Sequence, residues 1–389
     1  MSSWKPRYFD IGVNFSDSMF QGRYNGSASA KHAPDVEQVI ARARLFNVDR
    51  MLITASSIEE SRAHLQLAAS HAPDLASTVG VHPCTVAQEF YGGTHNELPL
   101  PNASEKLREL RDIALDGHLR GLVKAFGEIG LDYDRLHYSS KAQQTEMFTR
   151  QLEVYASLKH LHLPLFLHMR AACDDFVAIV RPFIEDGSIA VGNGVVHSFT
   201  GSAAELDQIL ALGFSVGVNG CSLKTQDNID VAKLIPADKL MIETDAPWCE
   251  IRKSHAGHPL LTPYPNLYYP PVATSAEAAA RPQSPDRPTK KQALQNAIKL
   301  DAFLPFPSIK KENFEKHKAQ AQLKLENSPE ATSLVIGEFA YPLIKSRNEP
   351  VFVGQVAEIM AKLHGLEDES DVRDFVDTIY TNSCRLFKM

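Results

Sequence analysis

Cysteine is scarce in this sequence: there are five cysteines in 389 residues, and no two of them form a Cys-x-x-Cys pair. An odd number of scattered cysteines argues against a disulfide framework, so we expect an intracellular protein, cytoplasmic, nuclear or both, and not a secreted one. Long apolar runs are also lacking, since none approaches the roughly 18 residues of a membrane-spanning helix. The first ten residues contain no apolar segment of the kind that a signal peptide requires. We therefore expect no membrane partner.

The sequence has no excess of positive charge: 40 Lys and Arg face 47 Asp and Glu, which gives a formal net charge of −7. This balance argues against a protein that coats nucleic acid nonspecifically, because such binding depends on many Lys and Arg contacts with phosphates. It leaves room for a local basic groove around an active site. The apolar content of 44% is that of an ordinary globular protein with a sizeable core.

The first predicted strand is not followed by the G-x-G-x-x-G fingerprint of dinucleotide-binding folds. Instead, short apolar runs alternate regularly with amphipathic helical patterns. Eight strands are predicted, in the segments FDIGVNF, RMLITAS, LASTVGVHP, LVKAFGEIGLD, LPLFLHMR, NGVVHSF, FSVGVN and LMIETDAPW. Strict alternation indicates a parallel sheet, and eight repeats predict an α/β fold of the closed (β/α)₈ TIM-barrel type. A doubly wound open sheet is the structural alternative.

The alternation breaks after the eighth strand. Residues from about 254 to 350 are rich in Pro, Ala, Ser and Lys and are predicted to form a long insertion. Two helical patterns at about 351–388 close the chain and are expected to cover the outside of the barrel. We therefore predict a single domain over residues 1–389. The insertion is a candidate surface for recruiting a protein partner, whose identity the sequence does not give.

Metal-binding residue types stand at the carboxyl ends of four predicted strands: Glu128, His168, His197 and Asp245. Each of them alone is more often a hydrogen-bonding or capping residue than a ligand. Their separations of 40, 29 and 48 residues, however, are close to whole strand–helix units, so all four are expected to converge on one mouth of the barrel. Two imidazoles and two carboxylates predict a site for a divalent metal such as Mg²⁺, Mn²⁺ or Zn²⁺.

The first strand, FDIGVNF, has an unusual composition on one face. Its apolar residues alternate with Asp10, Gly12 and Asn14. Taken alone, this polar face also fits an edge strand that runs into a turn, because Asp, Gly and Asn favour turns. Inside a barrel, the same three positions are expected to point toward the mouth that holds the four predicted ligands. Asp10 and Asn14 are then candidates for weak metal or water ligands.

Three further residues are candidates for contacts with a substrate phosphate. His82 ends the third strand in GVHPC and is a candidate for a phosphate contact, a metal ligand or a purely structural role. Arg170 follows His168 closely, and Arg252 comes after the eighth strand. Arginine pairs well with phosphate oxygens through two parallel hydrogen bonds, although a surface salt bridge is the simpler role for both arginines.

The motifs FDIGVNFSDSMFQG, GVHPC, FGEIGLDYDR, LFLHMR, VVHSFTG, FSVGVNGCSLK and IETDAPWCEIR resemble, in this order, the TatD family of metal-dependent deoxyribonucleases, and most of all its eukaryotic branch. The match spans residues 8–252 and resumes with NEPVFVGQVAEIMA and TNSCRLF. The resemblance implies a (β/α)₈ hydrolase in which the four strand-end residues bind Mg²⁺ or a similar metal. Many relatives carry a His-x-His pair on the first strand that binds a second metal, and here those positions are Gly12 and Asn14. We therefore expect one firm metal site and a second that is weak.

The resemblance also implies a reaction: hydrolysis of DNA phosphodiester bonds, in the manner of a 3′–5′ exonuclease on single-stranded ends. Asp245 and Glu128 are the candidate catalytic residues, with Asp245 holding the attacking water or accepting its proton. The alternative is a metal-dependent amidohydrolase or esterase that acts on a small or tRNA-linked substrate, since related barrels use the same metals. A catalytically weak scaffold that binds partners through the insertion is a third class of function.

Overall fold

The structure is a computed structural model that describes residues 4–93, 97–271, 301–316 and 342–389. Within these ranges, eight strands form one sheet in which each strand pairs in parallel with the next along the chain. The strands are β1 (Tyr8–Val13), β2 (Val48–Ile53), β3 (Leu75–Val79), β4 (Val123–Asp132), β5 (Leu165–Arg170), β6 (Gly194–His197), β7 (Ser215–Val218) and β8 (Leu240–Ile242).

The sheet closes on itself between β8 and β1. Val13 pairs in parallel with Ala246, which follows β8. Two backbone hydrogen bonds accompany this pairing, from the Asp245 amide to the Gly12 carbonyl at 2.9 Å and from the Asn14 amide to the Ala246 carbonyl at 2.8 Å. The predicted (β/α)₈ TIM barrel is therefore confirmed, and the doubly wound open sheet is wrong.

Helices connect successive strands and cover the outside of the barrel. The longer ones are α1 (Val36–Leu45), α2 (Ile58–Ser70), α3 (Ala103–Leu119), α4 (Lys141–Ser157), α5 (Cys173–Glu185), α6 (Ala203–Ala211), α7 (Gln226–Ala232), α8 (Val353–Leu363) and α9 (Glu369–Phe387). Three of them begin with a capping box, in which Ser140, Ser202 or Thr225 accepts a hydrogen bond from the amide three residues on. In the described part of the chain, no helix is long and apolar enough to cross a membrane.

The interior of the barrel is apolar near the start of the strands. Seven strands contribute buried side chains to one cluster, namely Phe9, Ile11, Leu52, Ala76, Ala125, Phe166, Val195 and Met241. Phe387 of α9 joins this cluster, with its ring 5.6 Å from the ring of Phe9. Because this end is filled with apolar side chains, polar chemistry inside the barrel is confined to the carboxyl-terminal mouth.

The inward face of β1 differs from the prediction. Phe9 and Ile11 pack in the apolar interior, whereas Val13 belongs to the large outer cluster beneath the helices. The change of face coincides with an irregularity in the β1–β2 register between Asp10 and Val13. The Asp10 carboxylate is fully buried and accepts hydrogen bonds from the Thr244 hydroxyl at 2.5 Å and the Thr244 amide at 2.9 Å. Asp10 therefore stabilises the seam of the barrel and does not point to its mouth.

The region predicted as an insertion is described only in part, since residues 272–300 and 317–341 lie outside the described residues. Its described parts pack against the barrel. Tyr269 and Phe306 are buried, with their rings 5.7 and 5.8 Å from that of Phe46. A short parallel pair joins Ser308–Ile309 to Leu343–Ile344. The chain on both sides of each undescribed segment is thus tied to the barrel.

Four charged side chains are buried where this region ends. Arg347 donates to Asp35 at 2.6 and 2.7 Å and to Glu349 at 2.8 Å. Glu349 also accepts a hydrogen bond from Arg42 at 2.8 Å. All four side chains are fully buried. Because Asp35 precedes α1 and Arg42 belongs to it, this network joins the end of the predicted insertion to the first helix of the barrel.

Candidate metal centre

A cavity of about 1010 Å³ opens at the carboxyl ends of the strands. Its lining includes the four predicted ligands and three of the other candidates, so that it contains Glu128, His168, His197, Asp245, His82, Asn14 and Arg170. These residues come from β4, β5 and β6 and from the loops that follow β1, β3 and β8. This is the end at which a barrel of this type holds its active site.

One carboxylate oxygen lies among three imidazole rings. Glu128 Oε1 is 2.6 Å from His197 Nε2, 2.8 Å from His168 Nδ1 and 3.3 Å from His82 Nε2. One ligand atom each from His82, Glu128 and His168 lie within 4.8 Å of one another. Imidazole nitrogens and carboxylate oxygens are the ligand types of divalent metals such as Zn²⁺ and Mn²⁺, and their convergence on one point fits such an ion.

The charges in this cluster favour an ionised carboxylate that faces protonated imidazoles. Burial alone would raise the pKa of Glu128, but the imidazoles, His197 above all, hold that pKa well below its ordinary value. Burial acts in the opposite sense on His197, yet Glu128 and Glu243 raise its pKa well above the usual range. The pKa of His168 is also raised against burial, by Asp132 and Glu128. A cation that binds here therefore displaces protons from these rings.

Two carboxylates that were not predicted as site residues lie beside the imidazole nitrogens that face away from Glu128. Asp132 Oδ2 lies 3.2 Å from His168 Nε2. Glu243 Oε1 lies 3.5 Å from His197 Nδ1 and accepts a hydrogen bond from the Ser198 amide at 2.7 Å. Carboxylates in such positions fix the ring orientation and the tautomer of a metal-binding histidine.

The sequence contains an indication that both carboxylates belong to the site, namely their spacing from the predicted ligands. Asp132 stands four residues after Glu128, and Glu243 stands two residues before Asp245. Residues separated by an even number on a strand share a face, so each carboxylate is expected on the same face of its predicted strand as a predicted ligand. An acidic residue on the inward face of a predicted strand, beside a predicted ligand, was therefore sufficient to identify each carboxylate as part of the site.

Asp245 is held at one side of the cavity by two donors. Its Oδ1 accepts a hydrogen bond from Asn14 Nδ2 at 2.9 Å, and its Oδ2 accepts one from the Cys249 thiol at 3.2 Å. Burial raises the pKa of Asp245 to about 6, and His197 opposes this shift. A carboxylate with this pKa is ionised at neutral pH and is still basic enough to accept a proton.

Gly12 leaves a space that a neighbouring side chain occupies. A Cβ atom at position 12 would lie 2.7 Å from Glu243 Oε2, so a histidine fits there only if Glu243 moves. Asn14, the other position of interest on this strand, uses both atoms of its amide: Nδ2 donates to Asp245, and Oδ1 accepts from the Thr54 hydroxyl at 2.7 Å. The first strand therefore offers little to a second cation.

The two arginines that were predicted to contact phosphate lie in different places. Arg170 is part of the cavity wall, where its Nε donates to Asp134 Oδ2 at 3.0 Å. Arg252 lies outside the cavity lining, with 67% of its side chain exposed and its Nε 3.6 Å from Glu250 Oε2. The sequence did not show that only Arg170 lines the cavity. Both arginines lie close to the end of a predicted strand, and the path of the chain beyond a strand is set by tertiary contacts. The phosphate contact predicted for Arg252 is therefore not supported.

The chain is similar to known proteins in sequence and in fold. A family model described as TatD related DNase matches residues 9–388. A Schizosaccharomyces pombe protein named deoxyribonuclease Tat-D is 45% identical over 255 residues, which are 66% of this chain and 77% of that protein. An Erwinia amylovora protein named 3′-5′ ssDNA/RNA exonuclease TatD is 38% identical over 243 residues, 62% of this chain and 80% of the other. A crystal structure of an uncharacterized amidohydrolase from Saccharomyces cerevisiae, 33% identical, superposes with a TM-score of 0.74 over 98% of this chain and 100% of that one.

Proposed function

The chain belongs to the TatD family of deoxyribonucleases, and we propose that it is a divalent-metal-dependent enzyme that hydrolyses DNA phosphodiester bonds from single-stranded 3′ ends. The main support is the convergence of three imidazole nitrogens on Glu128 Oε1 inside the cavity at the carboxyl-terminal mouth. The direction of cleavage and the preference for single strands are those of the Erwinia amylovora relative, which is named as a 3′-5′ ssDNA/RNA exonuclease.

We assign the firm metal site to Glu128, His168, His197 and Asp245. His82 lies beside this set. Mg²⁺ is the expected ion, and Mn²⁺ or Zn²⁺ also suits these ligand types. When bound, the cation lowers the pKa of a coordinated water and polarises a phosphoryl oxygen. We expect a second cation to bind weakly, because Glu243 occupies the space beside Gly12 and both amide atoms of Asn14 are hydrogen-bonded.

The side chains around the site have separate tasks. Asp245, whose carboxylate Asn14 and Cys249 hold at one side of the cavity, accepts the proton of the attacking water. Asp132 holds the His168 ring in its orientation, and the Glu243 carboxylate stabilises a positive charge on the His197 ring. Arg170 gives up its hydrogen bond to Asp134 and binds the substrate phosphate instead. There it stabilises the negative charge that gathers on the phosphate oxygens.

Lys124 bears on the alternative function, that of an amidohydrolase or esterase. Many such barrels bridge two metals with a modified lysine on the fourth strand, and β4 contains Lys124. The Lys124 amine donates to the Lys388 carbonyl at 3.3 Å, beside the end of α9 that fills the bottom of the barrel. The lysine is therefore remote from the imidazole cluster, which favours the phosphodiesterase over the alternative.

Digestion of 5′-labelled single-stranded and duplex DNA tests the proposed function. We expect the metal-free protein to shorten single strands from the 3′ end once Mg²⁺, Mn²⁺ or Zn²⁺ is added, and EDTA to abolish this activity. Calorimetric titration of the same protein should give one tight equivalent of metal. If the metal-loaded protein leaves both DNAs intact and hydrolyses amides or carboxylic esters, the nuclease assignment is wrong. Two tight equivalents of metal would contradict the single firm site.

A further inference from the structure

Two aromatic side chains stand exposed at the cavity. Trp248 is 54% exposed and Tyr138 is 56% exposed, and both belong to the cavity lining. The Trp248 amide donates to the Asp245 carbonyl at 2.9 Å, which fixes this residue next to the predicted catalytic carboxylate. The backbone of Trp248 is thus anchored beside the site while more than half of its side chain is open to solvent.

The cavity offers few Lys and Arg side chains to a nucleic acid. Seven carboxylates line it, against Arg135, Arg170 and Lys224, and its three imidazoles face the Glu128 carboxylate. Two of the three Lys and Arg side chains already face acids: Arg170 donates to Asp134, and Arg135 lies 3.9 Å from Asp132. Phosphate contacts with Lys and Arg are the usual source of affinity for nucleic acids, so this site needs another source.

We propose that Trp248 is a base-stacking residue that selects unpaired nucleotides, with Tyr138 as a second stacking surface. This inference rests on the proposed nuclease function. An unpaired base presents a flat face that stacks on an aromatic ring, whatever its identity, whereas a base inside a duplex already stacks on its neighbours. Because Trp248 follows Asp245 by three residues, the stacked base belongs to a nucleotide close to the bond that is cleaved.

Trp248→Ala and Trp248→Phe test this role in the metal-loaded protein. For Trp248→Ala we expect the KM for single-stranded DNA to rise about 5- to 150-fold, the range that the loss of one stacked base produces. Trp248→Phe should recover most of this loss, because it retains an aromatic face. A single strand whose 3′-terminal nucleotides are abasic contains phosphodiesters without bases, and its kcat/KM should fall less than that of normal DNA.

Trp4→Ala is the matched control, because Trp4 is the only other tryptophan and its indole donates to Asp377, away from the cavity. This variant should cleave DNA as the wild type does. An unaltered KM for DNA in Trp248→Ala overturns the stacking role, and so does an equal loss on normal DNA and on the abasic strand. Absence of metal-dependent cleavage of either substrate by the wild-type protein overturns the nuclease function itself.

A pair of thiols lies on the wall of the same cavity. Cys221 follows β7 and Cys249 follows β8, and both are free, with their Sγ atoms 3.0 Å apart. The Cys249 thiol donates in turn to Asp245. The two loops are in close contact, since a Cβ atom at Gly220 would lie 1.9 Å from the Cys249 carbonyl oxygen. The sulfur atoms need to approach by only about 1 Å to reach the length of a disulfide bond.

We infer that Cys221 and Cys249 form an oxidation site that controls Asp245. With hydrogen peroxide as the oxidant, the two thiols lose their hydrogens, one S–S bond forms, and the peroxide is reduced to two molecules of water. The disulfide has no S–H group, so Asp245 loses the hydrogen bond that Cys249 donates. Oxidation therefore slows DNA cleavage, and a thiol reductant restores it.

Peroxide treatment of the metal-loaded protein, followed by peptide mass spectrometry, tests this site. We expect peptides joined through Cys221 and Cys249, cleavage that is about 10- to 100-fold slower, and recovery with dithiothreitol. Cys221→Ser should resist inactivation, whereas Cys173→Ser, which changes a free cysteine outside the cavity lining, should respond as the wild type does. The inference is wrong if no joined peptides form, or if Cys221→Ser is inactivated to the same extent.

Discussion

Replacement of Glu128 by glutamine is expected to lower metal-dependent DNA cleavage by about 10³-fold or more, while the protein stays folded. Glutamine keeps the size and shape of the side chain but removes the negative charge. That charge faces the nitrogens of His82, His168 and His197 at 2.6–3.3 Å, so its loss affects the whole cluster. The kcat/KM for single-stranded DNA and the calorimetric affinity for Mn²⁺ should both fall.

The matched control is Glu153→Gln, the same chemical change on an exposed carboxylate of α4 outside the cavity lining. We expect it to cleave DNA at the wild-type rate. Circular dichroism of both variants should match that of the wild type, which separates a lost charge from a lost fold. Wild-type cleavage by Glu128→Gln at saturating metal would contradict the role assigned to Glu128.

Replacement of Arg347 by methionine is expected to lower the free energy of unfolding by about 3–5 kcal/mol. Methionine retains much of the length of the side chain, so the main loss is the positive charge between Asp35 and Glu349. Glu349 keeps Arg42 as a partner, whereas the described residues give Asp35 no other ion pair. A fully buried carboxylate without a counter-charge is strongly destabilising. Urea unfolding followed by circular dichroism measures this effect.

A second substitution isolates the cause of that loss. Adding Asp35→Asn to Arg347→Met should recover part of the lost stability, because it removes the buried charge that was left unpaired. Arg373→Met is the control on α9, where the arginine is half exposed and pairs with the neighbouring Asp374; it should change stability by less than about 1 kcal/mol. Equal stabilities of Arg347→Met and Arg373→Met would show that the buried network does not stabilise the fold.

The strands were predictable from the sequence because their signals are local. Alternation of apolar runs with helical patterns located all eight strands of the barrel. Glu128, His168 and His197 are separated by about one strand–helix unit each, and this spacing placed them at one mouth. Strand order in a parallel barrel follows chain order, so few topologies were possible. Local periodicity combined with this rule is sufficient for the fold and for the centre of the site.

Features that depend on distant contacts were not predictable in this way. The burial of Asp10 depends on Thr244, which is 234 residues away in the sequence. Arg347 meets Asp35 across 312 residues, and nothing near either residue indicates the partner. The thiol pair of Cys221 and Cys249 joins two different loops in the same way. Such contacts can be recognised only from the three-dimensional structure of the closed barrel.

The contact between α9 and β1 has a consequence for how the chain matures on the ribosome. Phe387 packs on Phe9, and Arg7 donates to the Tyr380 hydroxyl across 373 residues of sequence. Because β1 precedes α9 in the chain, it is synthesised before the helix that covers its inner end. Contacts over such separations carry a large loop-closure entropy and slow folding. The inner end of β1 therefore lacks its cover until all of α9 has been synthesised.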